Sequence, residues 1–260
     1  MQTFNDRGRA IAYFVFRWIA PVADPRNILL ALPRFAWFFR DWIRYARTEG
    51  AEPIRWRNTF PQLGDKVATS SFDRHYFFQD RWAFRKVHES GVTAHVDVGS
   101  RLDLIGFLST FCKVTFVDIR PLTTPVDNVE SKEGSILAMP YADKSVSSLS
   151  CLHVAEHIGL GRYGDPIDPA GTRKACAELA RVLSVDGNLY FSLPVGKPRL
   201  CFNAHRIHSP AQIISYFEGL TLVEFSAIGD DRNFVRDVDP AAFGDADYAC
   251  GLFHFVKRGS

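Results

Sequence analysis

From residue 92 onward, short apolar runs of strand length alternate with stretches whose apolar positions recur every three to four residues. HVDV, KVTFVD, SVSSLSCL, NLYFSL, TLVEFSA and ACGLFHFV are β-branched or aromatic runs, the pattern of buried strands. Between them, LDLIGFLSTF, PAGTRKACAELARVL and SPAQIISYFEGL have helical spacing. Residues 73–90 read the same way, with Tyr76, Phe77, Ala83, Phe84 and Val87 on the apolar face and Gly91 as the stop. Asp168 is expected to cap the helix opening at Pro169, and Ser209 the helix opening at Pro210. Alternation of this kind predicts an α/β fold, a doubly wound and mostly parallel sheet covered on both faces.

The N-terminal fifth is different. AIAYFVFRWIAPVA, residues 10–23, is interrupted by Arg17 and Pro21 and falls short of the ~20 apolar residues that span a bilayer. Residues 24–47 mix Phe35, Trp37, Phe38, Phe39, Trp42 and Tyr45 with Arg34, Arg40, Arg44 and Arg47. This suits an interfacial helix pair at a membrane. It also suits a helical cover packed on the main domain or on a second subunit, as aromatic-plus-arginine surfaces are what protein interfaces use. Residues 51–71 hold breakers and no sustained period, so they read as a linker with one short strand. The expected organisation is a helical extension over 1–50, a linker over 51–71 and an α/β domain over 72–260, with peripheral membrane contact or a subunit interface assigned to residues 10–48.

Composition narrows the function classes. A 47% hydrophobic, 23% charged chain with a formal charge of +2 is ordinary globular material, without the broad basic face of a nucleic-acid binder. Five scattered cysteines without C-x-x-C suggest neither a disulfide framework nor a zinc cluster. A cytoplasmic setting is expected, since the start lacks the order of a signal peptide.

In such sheets ligands bind beyond the carboxyl ends of the strands. After the first strand, Asp97, Gly99 and Ser100 form a turn into a helix. Arg101 and the residues after it exclude G-x-G-x-x-G, and no P-loop is present. After the second strand stands Asp118, about twenty residues on, where a carboxylate can take ribose hydroxyls. The pair points to a nucleoside-bearing cofactor without a pyrophosphate.

VDVGS, FVDIRP, GSILAMPYADKSV, LHVAEH and ELARVLSVDGNLYFSLPVG together resemble the class I S-adenosylmethionine-dependent methyltransferases over residues 92–256. More narrowly, SLSCLHVAEHIGLGRYGDPIDP with FNAHRIH resembles an uncharacterised methyltransferase-like family first grouped as a nematode domain of unknown function. The resemblance implies a Rossmann-like, seven-stranded sheet and S-adenosylmethionine as cofactor. It implies that Asp97, Gly99 and Ser100 border the methionine moiety, that Asp118 and Ile119 meet the ribose, that Ser135 and Ile136 meet adenine, and that Leu152 with His153 closes the pocket. Arg101, where the family carries its second glycine, departs from the pattern.

A helix beginning just after Cys151 would project His153, Glu156 and His157 from one face. They are the candidate catalytic residues, with His153 as general base toward a hydroxyl. A metal alternative adds His205 or His208 to this trio, as some related O-methyltransferases hold a divalent ion; its histidine content favours zinc, manganese or iron. The loop GLGRYGDPIDP offers Arg162, Tyr163 and Asp165, and FNAHRIH offers Asn203, His205 and Arg206, as walls for a sugar-like or phosphate-bearing acceptor. The expected activity is methyl transfer to an oxygen or nitrogen of a small or carbohydrate-like acceptor. Two alternatives stand beside it: a metal-assisted enzyme, and a non-catalytic module of the same fold anchored to a membrane or partner.

Overall fold

A computed structural model of the chain describes residues 11, 14–16, 18–19, 28–70, 72–123 and 125–259, with side chains 28–30 excepted. Arg17, Pro21 and most of the first apolar run lie outside the described residues. The chain divides into two units, Met1–Ser71 and Phe72–Ser260.

In the first unit, helix α1 (Ile28–Ala46) contains Pro33 and presents Phe35, Phe38 and Trp42 to Trp18 and Trp56. Residues 51–70 hold a single 3-10 turn, Trp56–Asn58, and no strand, so the short strand expected there does not form. Among the described residues no helix is long and apolar enough to cross a membrane.

The second unit carries strands β1 (Ala94–Val98), β2 (Lys113–Asp118), β3 (Val129–Glu133), β4 (Val146–Leu152), β5 (Leu183–Val195), β8 (Thr221–Ile228), β9 (Phe234–Val235) and β10 (Ala249–Val256) in the order β3-β2-β1-β4-β5-β10-β8-β9. The neighbours from β3 to β5 pair in parallel, whereas β10 runs antiparallel between β5 and β8. Seven strands match the expectation, and the two-residue β9 adds an eighth at the edge. A separate hairpin, β6 (Arg199–Cys201) and β7 (His205–Ile207), follows β5.

Helices α2 (Arg74–Glu89), α3 (Leu102–Leu108), α4 (Gly171–Val182) and α5 (Pro210–Tyr216) pack on this sheet. One core joins Leu179, Val182, Ile213 and Phe217 to Leu149, Phe191, Phe253 and Phe255. The other joins Trp82, Val87, Leu104, Ile105 and Leu108 to Val114, Phe116 and Leu252. Tyr190 and Phe191 go to different cores, as the period-2 alternation of a strand requires.

Of the two caps expected, the one at Ser209 forms and the one at Asp168 does not. Asp73 accepts from the Tyr76 amide at 3.3 Å, and Ser209 with Gln212 completes a reciprocal capping box behind Pro210. Asp168, expected to cap α4, instead accepts from the Ala170 amide at 2.9 Å in the turn before it. The helix therefore starts at Gly171, with Ala170 at its cap.

Candidate active site

The strand order reverses between β1 and β4, so the loops leaving β1 and β2 diverge from the loop leaving β4. The opening is a cavity of about 330 Å³, bordered by Val98 and Gly99 after β1, Asp118 to Arg120 after β2, residues 134–137 after β3, and His153, Val154, His157 and Ile158 after β4. Its volume lies within the range of small-molecule and cofactor pockets.

Gly99 has φ +64, and a Cβ there would stand 3.3 Å from Val154 and 3.4 Å from Asp118 Oδ2. Glycine thus supplies both the left-handed turn and the room beside the carboxylate. Asp118 accepts from the Arg120 amide at 2.8 Å through Oδ1, leaving Oδ2 on the Gly99 side. Ile119, Ser135 and Ile136 complete this half.

Asp97, Ser100 and Leu152 stand behind the cavity. Asp97 accepts from the Ser100 amide at 2.9 Å, and the Leu152 amide donates to Ser100 Oγ at 3.1 Å, tying the β1 turn to the end of β4. Ser150 donates to the other Asp97 oxygen and lies 2.8 Å from His95 Nε2. Ser150 spends its proton on Asp97, so His95 donates from Nε2, and its Nδ1 accepts from Ser148 at 2.8 Å. Burial raises Asp97 to about 6 and lowers His95 to about 3. This buried chain escaped the sequence reading, because His95, Ser148 and Ser150 sit inside apolar runs. Arg101 does not line the cavity: its guanidinium pairs with Asp103 at 2.7 Å and lies 4.9 Å from the Tyr76 ring.

No α-helix follows Cys151. His153 takes φ +55, and residues 155–157 make one 3-10 turn, so the expected helical face of His153, Glu156 and His157 is not built. His153 and His157 line the cavity, while Glu156 is fully buried. His153 Nδ1 lies 3.3 Å from Ser192 Oγ, whose proton goes to Gln79 Oε1 at 2.7 Å. Ser192 therefore accepts from Nδ1–H, and the lone pair of His153 is on Nε2. Burial, with the neighbouring His75, His157 and His205, holds His153 down to about 3. His157 donates from Nδ1 to the Ala204 carbonyl at 2.6 Å, which leaves its Nε2 3.7 Å from Glu156. Neither Glu156 oxygen has a hydrogen-bond partner, and burial raises this carboxyl to about 8.

Among the described residues no group of three or more His, Cys, Asp or Glu is placed to hold a metal ion. The alternative ligand set of His153, Glu156, His157 and His205 is thus not brought together. His208, the other candidate, is buried with its ring 5.6 Å from Tyr216.

Of the expected acceptor walls, Tyr163 and Asp165 border the cavity, whereas Arg162, Asn203, His205 and Arg206 do not. Asp165 accepts from the Gly159 amide at 2.6 Å, and Arg206 donates to the carbonyls of Ile158 at 2.5 Å and Asp168 at 3.0 Å. Gly159 has φ +80 with the Asp168 carbonyl where a Cβ would fall. These residues form the loop rather than its surface, and the loop carries Tyr163 over the opening. There Arg120 meets the Tyr163 ring at 4.7 Å, with Arg162 at 5.2 Å and donating to Ala204 at 3.1 Å. Arg120 was passed over in the sequence, having no motif around it. Asn203 reaches the Leu160 carbonyl at 3.5 Å, and His205 lies 5.3 Å from the Tyr248 ring.

A family described as Caenorhabditis protein of unknown function, DUF268, matches residues 132–236. No curated protein matches the chain. Among solved structures, the N-methyltransferase NodS from Bradyrhizobium japonicum in complex with S-adenosyl-L-homocysteine is 15% identical, with a TM-score of 0.52 over 85% of this chain and 98% of that one. A geranyl diphosphate methyltransferase in complex with S-adenosylmethionine is 15% identical, with a TM-score of 0.50 over 69% and 84%. The [4+2]-cyclase SpnF is 12% identical, with a TM-score of 0.51 over 70% and 82%. The fold is that of the class I methyltransferases. A cyclase among its bearers shows that fold and reaction are separate matters.

Proposed function

We propose that the protein is an S-adenosylmethionine-dependent methyltransferase acting on an oxygen or nitrogen of a small or carbohydrate-like acceptor. The observation that carries this reading is the cavity at the strand-order reversal, with Asp118 Oδ2 facing the Gly99 turn. The residues fit the cofactor. Asp118 would accept from the ribose hydroxyls, Ile136 and Ser135 would face adenine, and the open Gly99 turn would admit the methionine end. Asp97, Ser100 and Leu152 would act from behind, fixing that turn.

When bound, S-adenosylmethionine supplies a sulfonium methyl group open to in-line displacement. The chain's contribution is placement, which can supply several kcal/mol. His153, with its lone pair on Nε2 at the cavity wall, would accept the hydrogen bond of an attacking hydroxyl and take its proton late, from the acidic oxonium formed as the methyl group transfers, since a ring held down to about 3 is too weak to deprotonate a free hydroxyl. The Ser192–Gln79 pair holds its ring in that tautomer. Tyr163 and Arg120 would cover the bound cofactor. NodS and the geranyl diphosphate enzyme, solved with product and cofactor, support this assignment by analogy of fold.

Titration calorimetry of the full chain with S-adenosylmethionine and S-adenosylhomocysteine tests the proposal. Saturable binding of both, at one site per chain, is expected. Absence of heat, together with no protection against thermal unfolding, would overturn it.

A further inference from the structure

Helix α1 carries two apolar stripes, and only one is used. Phe35, Phe38 and Trp42 pack with Trp18 and Trp56, the ring centroids of Trp18 and Trp56 lying 4.5 Å apart. Leu32, Ala36 and Ile43 recur at helical spacing on an adjacent face and point outward, Leu32 being 82% and Ile43 51% exposed, while Phe39 lies between the two faces and stacks on Trp18 at 6.0 Å. The described residues of the preceding apolar run repeat the pattern, since Ile11, Val15 and Ile19 fall at i, i+4 and i+8 and all are exposed. At about 100° per residue, Arg40, Arg44 and Arg47 form a row beside the outward stripe, on the side away from the aromatic cluster.

Charge identifies the occupant of this face. Residues 1–71 contain eleven Lys and Arg against six Asp and Glu, a formal +5, which leaves −3 for the rest of a chain whose total is +2. A second copy would bring another +5 against the same surface, a repulsive pairing. An anionic bilayer instead offers hydrocarbon to the stripe and negative headgroups to the arginine row.

We propose that the N-terminal unit docks on an anionic lipid surface, with Leu32 and Ile43 entering the interface and Arg44 and Arg47 meeting the headgroups. The docking proposed is at the surface of the bilayer; among the described residues no helix is long and apolar enough to cross one. It is independent of the methyltransferase reading.

The test is co-sedimentation of the full chain with vesicles of phosphatidylcholine alone and of phosphatidylcholine mixed with phosphatidylserine. Binding to the mixed vesicles, weakened by added salt, is expected. Leu32→Ser/Ile43→Ser should abolish it, and each of Arg44→Gln and Arg47→Gln should weaken it about fivefold. The substituted side chains are exposed, so unchanged circular dichroism is expected for each variant. Failure of the wild-type chain to sediment with either vesicle overturns the proposal, as does a stripe variant that binds as tightly as wild type. A wild-type dimer that the stripe variant dissolves would also overturn it, and would assign the face to a second copy.

Discussion

His153 Nδ1 and Ser192 Oγ meet at 3.3 Å across the ends of β4 and β5, and the direction of that contact is set one residue further on, where Ser192 gives its proton to Gln79. The base is thereby aimed by a group outside the cavity. Ser192→Ala removes the acceptor for Nδ1–H, so both tautomers of His153 become populated, which nitrogen NMR of the imidazole reads directly. In a methyl-transfer assay kcat is expected to fall about tenfold, the worth of one hydrogen bond of about 1.4 kcal/mol. Affinity for S-adenosylhomocysteine should be unchanged. A single bare-Nε2 signal that survives in Ser192→Ala would contradict the aiming role.

Asp118 is expected to act on binding and not on the chemical step. Its Oδ1 is occupied by the Arg120 amide, so the cofactor would contact Oδ2. Asp118→Asn keeps the shape and removes the charge. Loss of a hydrogen bond to an ionised acceptor costs about 1.5–3 kcal/mol, so calorimetry should show S-adenosylhomocysteine binding weakened by about 10- to 100-fold. An unaltered Kd would remove Asp118 from the cofactor site.

How far the sequence discloses this site depends on whether a residue's role is local. Asp118 and Gly99 are legible because a strand followed by a turn fixes their place with no information from elsewhere. His153 at a strand end is legible for the same reason, yet its neighbours Glu156 and His157 were placed on a helix. The i, i+3, i+4 spacing is satisfied on paper, but the left-handed backbone at His153 and a 3-10 turn break it. Strand β3, VESKE, has no apolar period to reveal it and is found only as the outer partner of β2. Arg206 and Asp165 carry charges that read as substrate ligands, and only the fold shows that they are directed at backbone groups of their own loop. Polar residues committed to distant carbonyls leave no periodic trace in a sequence.

The Arg120–Tyr163 contact joins the loop after β2 to the loop after β4 across the cavity mouth. If it covers a bound cofactor, removing either side should quicken release more than it slows entry. Arg120→Ala and Tyr163→Leu, measured singly and together, should show a coupling of about 0.5–1 kcal/mol in S-adenosylhomocysteine affinity, the size of an exposed cation–π pair. Strictly additive effects in stopped-flow binding would mean that the two loops act independently.

Stability should pass through a shallow maximum at about pH 7. Burial lowers His95 and His153 to about 3 and His157, His208 and His254 to about 4. Such a histidine is protonated first in the unfolded chain, so the fold is fully stable with respect to it above the usual 6.5 and weakens as pH falls toward the folded value. Asp97, raised to about 6, and Glu156, raised to about 8, act in the opposite sense, holding protons in the folded state that the unfolded chain has released. Below pH 6.5 the five histidines outweigh the two acids, and stability climbs with pH. Between pH 6.5 and 8 the tail of the five histidines, which still raises stability, nearly offsets Glu156, whose carboxyl alone lowers it by about 1 kcal/mol per pH unit. Glu156→Gln preserves the shape and cannot ionise, so urea unfolding of this variant should show stability rising from pH 6.5 to 8 where the wild type stays nearly level. A difference between variant and wild type that is the same at both values would show that the Glu156 carboxyl is ionised in the fold, with a partner or solvent at its two bare oxygens.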